Sequence, residues 1–203
     1  LATESGPVLG RLSAHNVWLD AKGQPALTEM REYRFFASPA SARIFDLRVN
    51  FQATHGAVRF GDTKEGGICS IRVATSMDAS GAGVITNAFG GTQEAETWGK
   101  RSVWCDYSGP VGGKLCGVTI MDHPSNYCHP TYWHVRNYGL MTANPFGLAA
   151  FLNNPERNGS LTLAAGATLT FRYRVYIHAG DSVAGRVADQ YHHYINPPAV
   201  KLA

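Results

Sequence analysis

Nothing in the chain's 203 residues approaches the roughly 18 consecutive apolar residues of a membrane-spanning helix. Charge is scarce as well: 16% of residues are charged, 18 basic and 15 acidic, for a net charge of +3. With no run of five or six like charges, there is no basic stripe of the kind that grips nucleic acid, and little material for a disordered tail. The opening LATESGPVLG lacks the charged and apolar regions of a signal peptide. The four cysteines show no CxxC spacing, so a structural zinc site is not expected. HxH, HExxH, the GxSxG elbow and the GxxxxGK[ST] phosphate loop are missing too, as are internal repeats and low-complexity tracts.

The residues that are present read as β structure. The composition is 44% hydrophobic with 22 glycines and 10 prolines, which suits a turn-rich chain. Its length allows one large domain over residues 1–203, able to bury roughly 70% of its unfolded surface. RIFDLRVNFQA places Phe45, Leu47, Val49 and Phe51 on one face and Asp46, Arg48, Asn50 and Gln52 on the other, the period of a half-buried strand. ICSIRVATSM sets Ser70 and Arg72 opposite Cys69, Ile71 and Val73. SLTLAAGATLTFRYRVYIH divides at AAGA and turns Leu169, Phe171, Tyr173, Val175 and Ile177 inward, with Arg172, Arg174, Tyr176 and His178 facing away. DAKGQP, ASPAS and DASGAG read as turns.

GDSVAGRVADQYHHYI is the one convincing helix, with Asp181 or Ser182 as N-cap and a stripe of Val183, Val187, Tyr191 and Tyr194. About ten strands with one terminal helix predict an all-β, two-sheet antiparallel β-sandwich with a short C-terminal helix. A large curved sheet in such a fold can offer a concave outer face lined by polar and aromatic residues.

Polar chemistry is concentrated in MDHPSNYCHPTYWHVRNYG, residues 121–139, which holds three histidines and four aromatics. Alternation puts Tyr132, His134, Arg136 and Tyr138 on one face and Trp133 and Val135 on the buried one. An arginine fork, a proton-transferring histidine and aromatic rings suit a sugar or carboxylate site. A tyrosine and arginine ladder on a solvated sheet face would have the same composition. A second cluster, GDTKEGG at residues 61–67, presents Asp62, Lys64 and Glu65 on a glycine-bracketed loop. Arg72 on the next strand is within reach of Glu65. His123, His129 and His134 are spaced by six and five, which matches no metal motif, so no metal is expected, although a site built by fold proximity stays open. In VWCDYSGPVGGKLCGV, pairing Tyr107 with Lys114 sets Cys105 opposite Cys116. In an exported chain these two are expected to bridge, leaving Cys69 and Cys128 reduced; as small buried hydrophobes they would need no bridge.

Together GDTKEGG with IRVA, NAFGG, W...W.DYSG, GV.I.DHPSN, HPTYWHVRNYGLMTANPFG and L.FRYRVYIHAGD resemble the PmoA-like family, often labelled methane oxygenase, over about residues 8–195. The label implies a copper- or iron-dependent oxidative enzyme. Membrane methane monooxygenase subunits are bundles of transmembrane helices, for which this chain has no candidate. The family is similar instead to the galactose mutarotase-like supersandwich, whose members bind or transform carbohydrates in a concave sheet face. Longer members carry a histidine-rich HHRG-type segment upstream, so the expectation is a chain that lacks it.

The resulting expectation is a carbohydrate-active protein working by acid and base proton transfer without a cofactor: a lyase, an epimerase or a hydrolase. His134 is the expected acid and Glu65 the expected base. Arg136, Arg72, Lys64, His123, Asn126, Asn144 and Tyr132 orient the saccharide, and the loop of Asp122, His123 and Asn126 lies at the mouth of the same groove. A noncatalytic sugar-binding module is the other reading. The expected partner is a saccharide, with no nucleic acid and no membrane, and the expected location is extracellular or periplasmic.

Overall fold

A computed structural model describes residues 1–197. In chain order it contains β1 (Ala2–Ser5), β2 (Leu9–Leu19), β3 (Pro25–Phe36), β4 (Ala42–Gln52), β5 (Val58–Phe60) and β6 (Cys69–Arg72). A 3-10 turn (Thr75–Met77), β7 (Val84–Asn87), α1 (Gln93–Thr97), β8 (Trp104–Val111) and β9 (Lys114–Asp122) follow. The chain continues through β10 (Tyr132–Val135), β11 (Leu140–Asn144), α2 (Leu148–Phe151), β12 (Leu161–Leu163), β13 (Thr168–Ala179) and α3 (Val187–Ile195). An eight-stranded sheet runs β1-β2-β3-β4-β13-β9-β8-β7, and three-stranded (β10-β11-β6) and two-stranded (β12-β5) sheets accompany it. Every strand pair is antiparallel. The architecture is the expected sandwich-like all-β fold with a short C-terminal helix.

Period-two alternation explains the core. Leu47, Val49 and Phe51 of β4, Phe171, Tyr173 and Val175 of β13, and Ile120 of β9 cluster with Trp133 and Val135 of β10 and Met141 and Ala143 of β11. The inner face of the large sheet therefore meets the inner face of the small one. Trp133 is fully buried, and its indole N–H donates to Ser102 O at 2.9 Å, so the ring enters the core with its one polar atom satisfied. Tyr107 is buried as well. Its hydroxyl accepts from the N–H groups of Ala79 (2.9 Å) and Gly139 (3.2 Å), fastening two loops to the core.

Three sequence expectations need correction. The C-terminal helix begins at Val187, not near Asp181, and its N-cap Arg186 has a left-handed backbone with φ of 51°. Asp181 caps a preceding turn, its carboxylate accepting from Val183 and Ala184 N–H, so Val183 is 82% exposed and outside the stripe. The inward stripe of β13 stops short of Ile177, which is exposed, and Tyr176 on the away side is itself buried, packing with Trp104, Met121, Val187 and Tyr194 in a second cluster under α3. Thirdly, the β8–β9 hairpin turns at Gly112 and Gly113, both with positive φ, so Val111 pairs with Lys114 and Gly109 with Cys116, while Cys105 faces Ile120. Two glycines free of a Cβ penalty form the tight turn that a six-residue loop was expected to make. All four cysteines are free.

Candidate functional site

The small sheet's outward side chains come from its register. Tyr132 pairs with Asn144, His134 with Thr142, Thr142 with Ser70, and Leu140 with Arg72. Because Trp133, Val135, Met141 and Ala143 point into the core, Tyr132, His134, Thr142, Asn144 and Ser70 share the opposite face.

Two connections cover that face. The 61–67 loop is stitched down by backbone and side chain: Thr63 N–H donates to Phe146 O at 2.8 Å, and Asn144 Nδ2 donates to the carbonyls of Thr63 (2.9 Å) and Lys64 (3.0 Å). Asp62 accepts from Gly159 N–H and Ala149 N–H. A Cβ at Gly67 would overlap Thr142, so glycine is what lets the loop lie this close. From the other side come Trp98, just past α1, and Phe151 of α2, stacked edge to face at 5.4 Å.

His134 is the centre of the arrangement. It is 2% exposed; its Nδ1 accepts from Trp98 Nε1–H at 3.1 Å, which assigns the ring proton of the neutral imidazole to Nε2. Among the described residues that Nε2 is buried without a hydrogen-bond partner, and it lies 3.9 Å from Glu65 Oε2. Burial lowers the pKa of His134; Arg136 and Lys64 push the same way, against Glu65 and Glu94. The imidazole is thus held neutral, with its N–H nitrogen beside a carboxylate just beyond hydrogen-bond range. Glu65 is exposed, and its other oxygen lies 3.6 Å from Lys64 Nζ. The rings of Tyr132 and Phe151 stack at 5.5 Å beside them.

The expected catalytic pair is therefore together, with Lys64 and Tyr132 close by, but several expected neighbours have other work. Arg136 pairs with Glu94 (Nε to Oε1 3.0 Å, at an angle short of a hydrogen bond) and lies over Tyr138 at 5.4 Å. Arg72 does not reach Glu65: it is at the far end of β6, about 10 Å along the strand from Cys69, where it donates to Tyr138 O (3.0 Å) and covers the same tyrosine ring. Asn144 is fully buried and holds the loop rather than a ligand. Trp98, Phe151, Glu94 and Thr142 were not foreseen. Trp98 follows a helix of five residues and Phe151 ends one of four, elements too short to show a helical period.

The expectation of one groove joining His123 and Asn126 to His134 is overturned by topology. His123 and Asn126 lie against β13 of the large sheet, and His134 faces outward from the small sheet, with the core between them. Most of the crowding in residues 122–131 is self-binding. Asp122, fully buried, accepts from Asn126 Nδ2 (2.8 Å) and Thr131 N–H (2.9 Å) and pairs with His129 Nδ1 (2.8 Å). Asn126 also bonds both backbone groups of Arg172. Among the described residues no three or more His, Cys, Asp or Glu side chains are grouped to hold a metal ion. The copper or iron implied by the methane oxygenase label thus has no matching donor set there. No helix among them is long and apolar enough to cross a membrane.

Compared with known families, residues 1–192 match a family model described as a family of unknown function, DUF6807. No curated protein matches the chain.

Proposed function

Since the chain belongs to DUF6807, a family of unknown function, we propose from the chemistry of the site alone that it binds a saccharide on the outer face of its three-stranded sheet and acts on it by acid–base proton transfer. The observation that carries this reading is the buried His134 Nε2–H, unpartnered among the described residues and 3.9 Å from Glu65 Oε2. A sugar hydroxyl is both acceptor and donor, so one hydroxyl can take the His134 hydrogen bond and give its own to Glu65. The half-exposed rings of Trp98 and Tyr132 offer apolar surface for a sugar ring.

In this reading Glu65 takes a proton from a ligand O–H or activated C–H. The negative charge left on the ligand oxygen is met by His134 Nε2–H, with Lys64 adding positive field. His134 then serves as a neutral hydrogen-bond donor more than as a charged acid, because its lowered pKa leaves little imidazolium at neutral pH. Return of the proton from Glu65 to the same carbon, after the planar intermediate has turned its other face toward it, gives epimerisation; expulsion of a neighbouring oxygen substituent, with Glu65 passing its proton to the departing oxygen, gives elimination.

The test is a glycan array followed by calorimetry and turnover assays on Glu65→Gln and His134→Gln. Glu65→Gln should keep most of the binding and lose turnover by about 100-fold or more. His134→Gln should weaken binding by roughly 1 to 2 kcal/mol. Binding without turnover in the wild type would leave the noncatalytic module. Saccharide binding indifferent to both changes would place the ligand elsewhere.

A further inference from the structure

The outer face of the eight-stranded sheet, across the core from His134, carries a different chemistry. Arg48 of β4 and Arg172 of β13 are direct cross-strand partners, a like-charge placement that costs stability unless something anionic joins it. Glu32 of β3 is the other cross-strand partner of Arg48, but its carboxylate is turned to Arg34 at 2.7 Å and Arg11 at 3.6 Å, and Asp46 holds Arg174 through two bonds of 2.7 and 3.0 Å. Among the described residues neither Arg48 nor Arg172 has a carboxylate within ion-pair distance. Arg172 instead donates to the neutral Ser125 hydroxyl at 2.8 Å.

Both arginines line a cavity of about 150 Å³ with Arg34, His123 and Tyr194. His123 Nδ1 accepts from Ser125 N–H at 3.1 Å, so its neutral ring carries the proton on Nε2. A second cavity of about 370 Å³ adjoins the first, sharing Glu32 and Arg48, and is lined by His15, Thr28 and Asn50 among others.

We propose that this double cavity is a binding site for a sugar acid: its carboxylate lies between Arg48 and Arg172, and its hydroxyls extend toward Glu32 and Asn50. Guanidinium forks match a planar carboxylate. Glu32 and Asp46 in the lining repel a dianion such as phosphate but accept hydroxyl hydrogens, so a monoanion rich in hydroxyls fits the charge pattern better than an inorganic anion. The site stands independently of the His134 face.

Chemical-shift mapping and calorimetry with D-glucuronate, D-glucose and inorganic phosphate decide the matter. Glucuronate should perturb the amides around Arg48 and Arg172, and neutral glucose should not. Arg48→Gln, a change at an exposed position, should weaken glucuronate about tenfold or more and leave the melting temperature in place. His134→Gln should leave these shifts intact, which separates this site from the other face. The proposal is overturned if glucuronate leaves those amides unmoved, if glucose moves them equally, if phosphate binds more tightly than glucuronate, or if Arg48→Gln binds as the wild type does.

Discussion

Trp98 decides which nitrogen of His134 carries the proton, because its indole N–H donates to Nδ1. Replacing it with phenylalanine keeps most of the packing against Phe151 and removes the donor. Nitrogen NMR of Trp98→Phe should show the single Nε2–H form of the wild type giving way to a mixture of tautomers. An unchanged spectrum would mean that another group sets the tautomer. At Asp122 the stakes are conformational: the carboxylate satisfies Asn126, His129 and Thr131 within the interior. Asp122→Ala strands all three donors and should cost about 3 kcal/mol in urea unfolding. A loss below about 1 kcal/mol would show that water replaces the carboxylate.

Loops and strands meet closely where glycine removes a side chain. Gly67 lets the 61–67 loop lie on Thr142, and that contact keeps Glu65 beside His134. Gly67→Ala should lift the loop, with a stability loss of about 1 to 3 kcal/mol and a larger relative loss of saccharide binding than of folding. Calorimetry and urea melts on one sample separate the two effects. The β8–β9 hairpin makes a sharper statement about cysteine. Its turn at Gly112 and Gly113 puts Cys105 opposite Ile120 and Cys116 opposite Gly109, so protein unfolded after air exposure should still yield four alkylatable thiols. A peptide linking Cys105 to Cys116 would contradict this register.

Over the whole molecule, the C-terminal segment closes on a buried charge system. His178 is 3% exposed, wedged so tightly that a Cβ at Gly117 or Gly185 would overlap its ring, and its Nε2 lies 2.9 Å from Asp106 Oδ1. Burial opposes its charge, but the hydrogen bond and charge of Asp106 outweigh burial and raise its pKa above 6.5. A histidine with a raised folded-state pKa adds stability that is complete below its unfolded pKa, near 6.5, and is lost as pH climbs through the folded value. The melting temperature should therefore fall on the alkaline side of 6.5, and Asp106→Asn should flatten that slope while lowering stability overall. His123 and His134 have lowered values and act in the opposite sense, withdrawing stability as pH drops below about 6.5.

Local pattern determined the sheets. The alternation in residues 43–53 and 168–179 named the core faces of β4 and β13, and Asp20, Gly81 and Gly166 fell in the turns where such residues belong. The nearness of His134 to Glu65 was legible in part, since HPTYWHVRNYG sets His134 on the polar side of a strand and GDTKEGG presents Glu65 on a glycine-bracketed loop. Tertiary structure alone decided what those groups face. Register at a diglycine turn separated two cysteines, and the order of strands put His123 and His134 on opposite sides of the core. Trp98 and Phe151 reached the site from elements too short for any period to reveal. Side-chain period is a property of a few neighbouring residues and survives in the sequence. Which faces meet depends on strand order, crossover and loop length, free energies shared by the whole chain, and no single stretch records them.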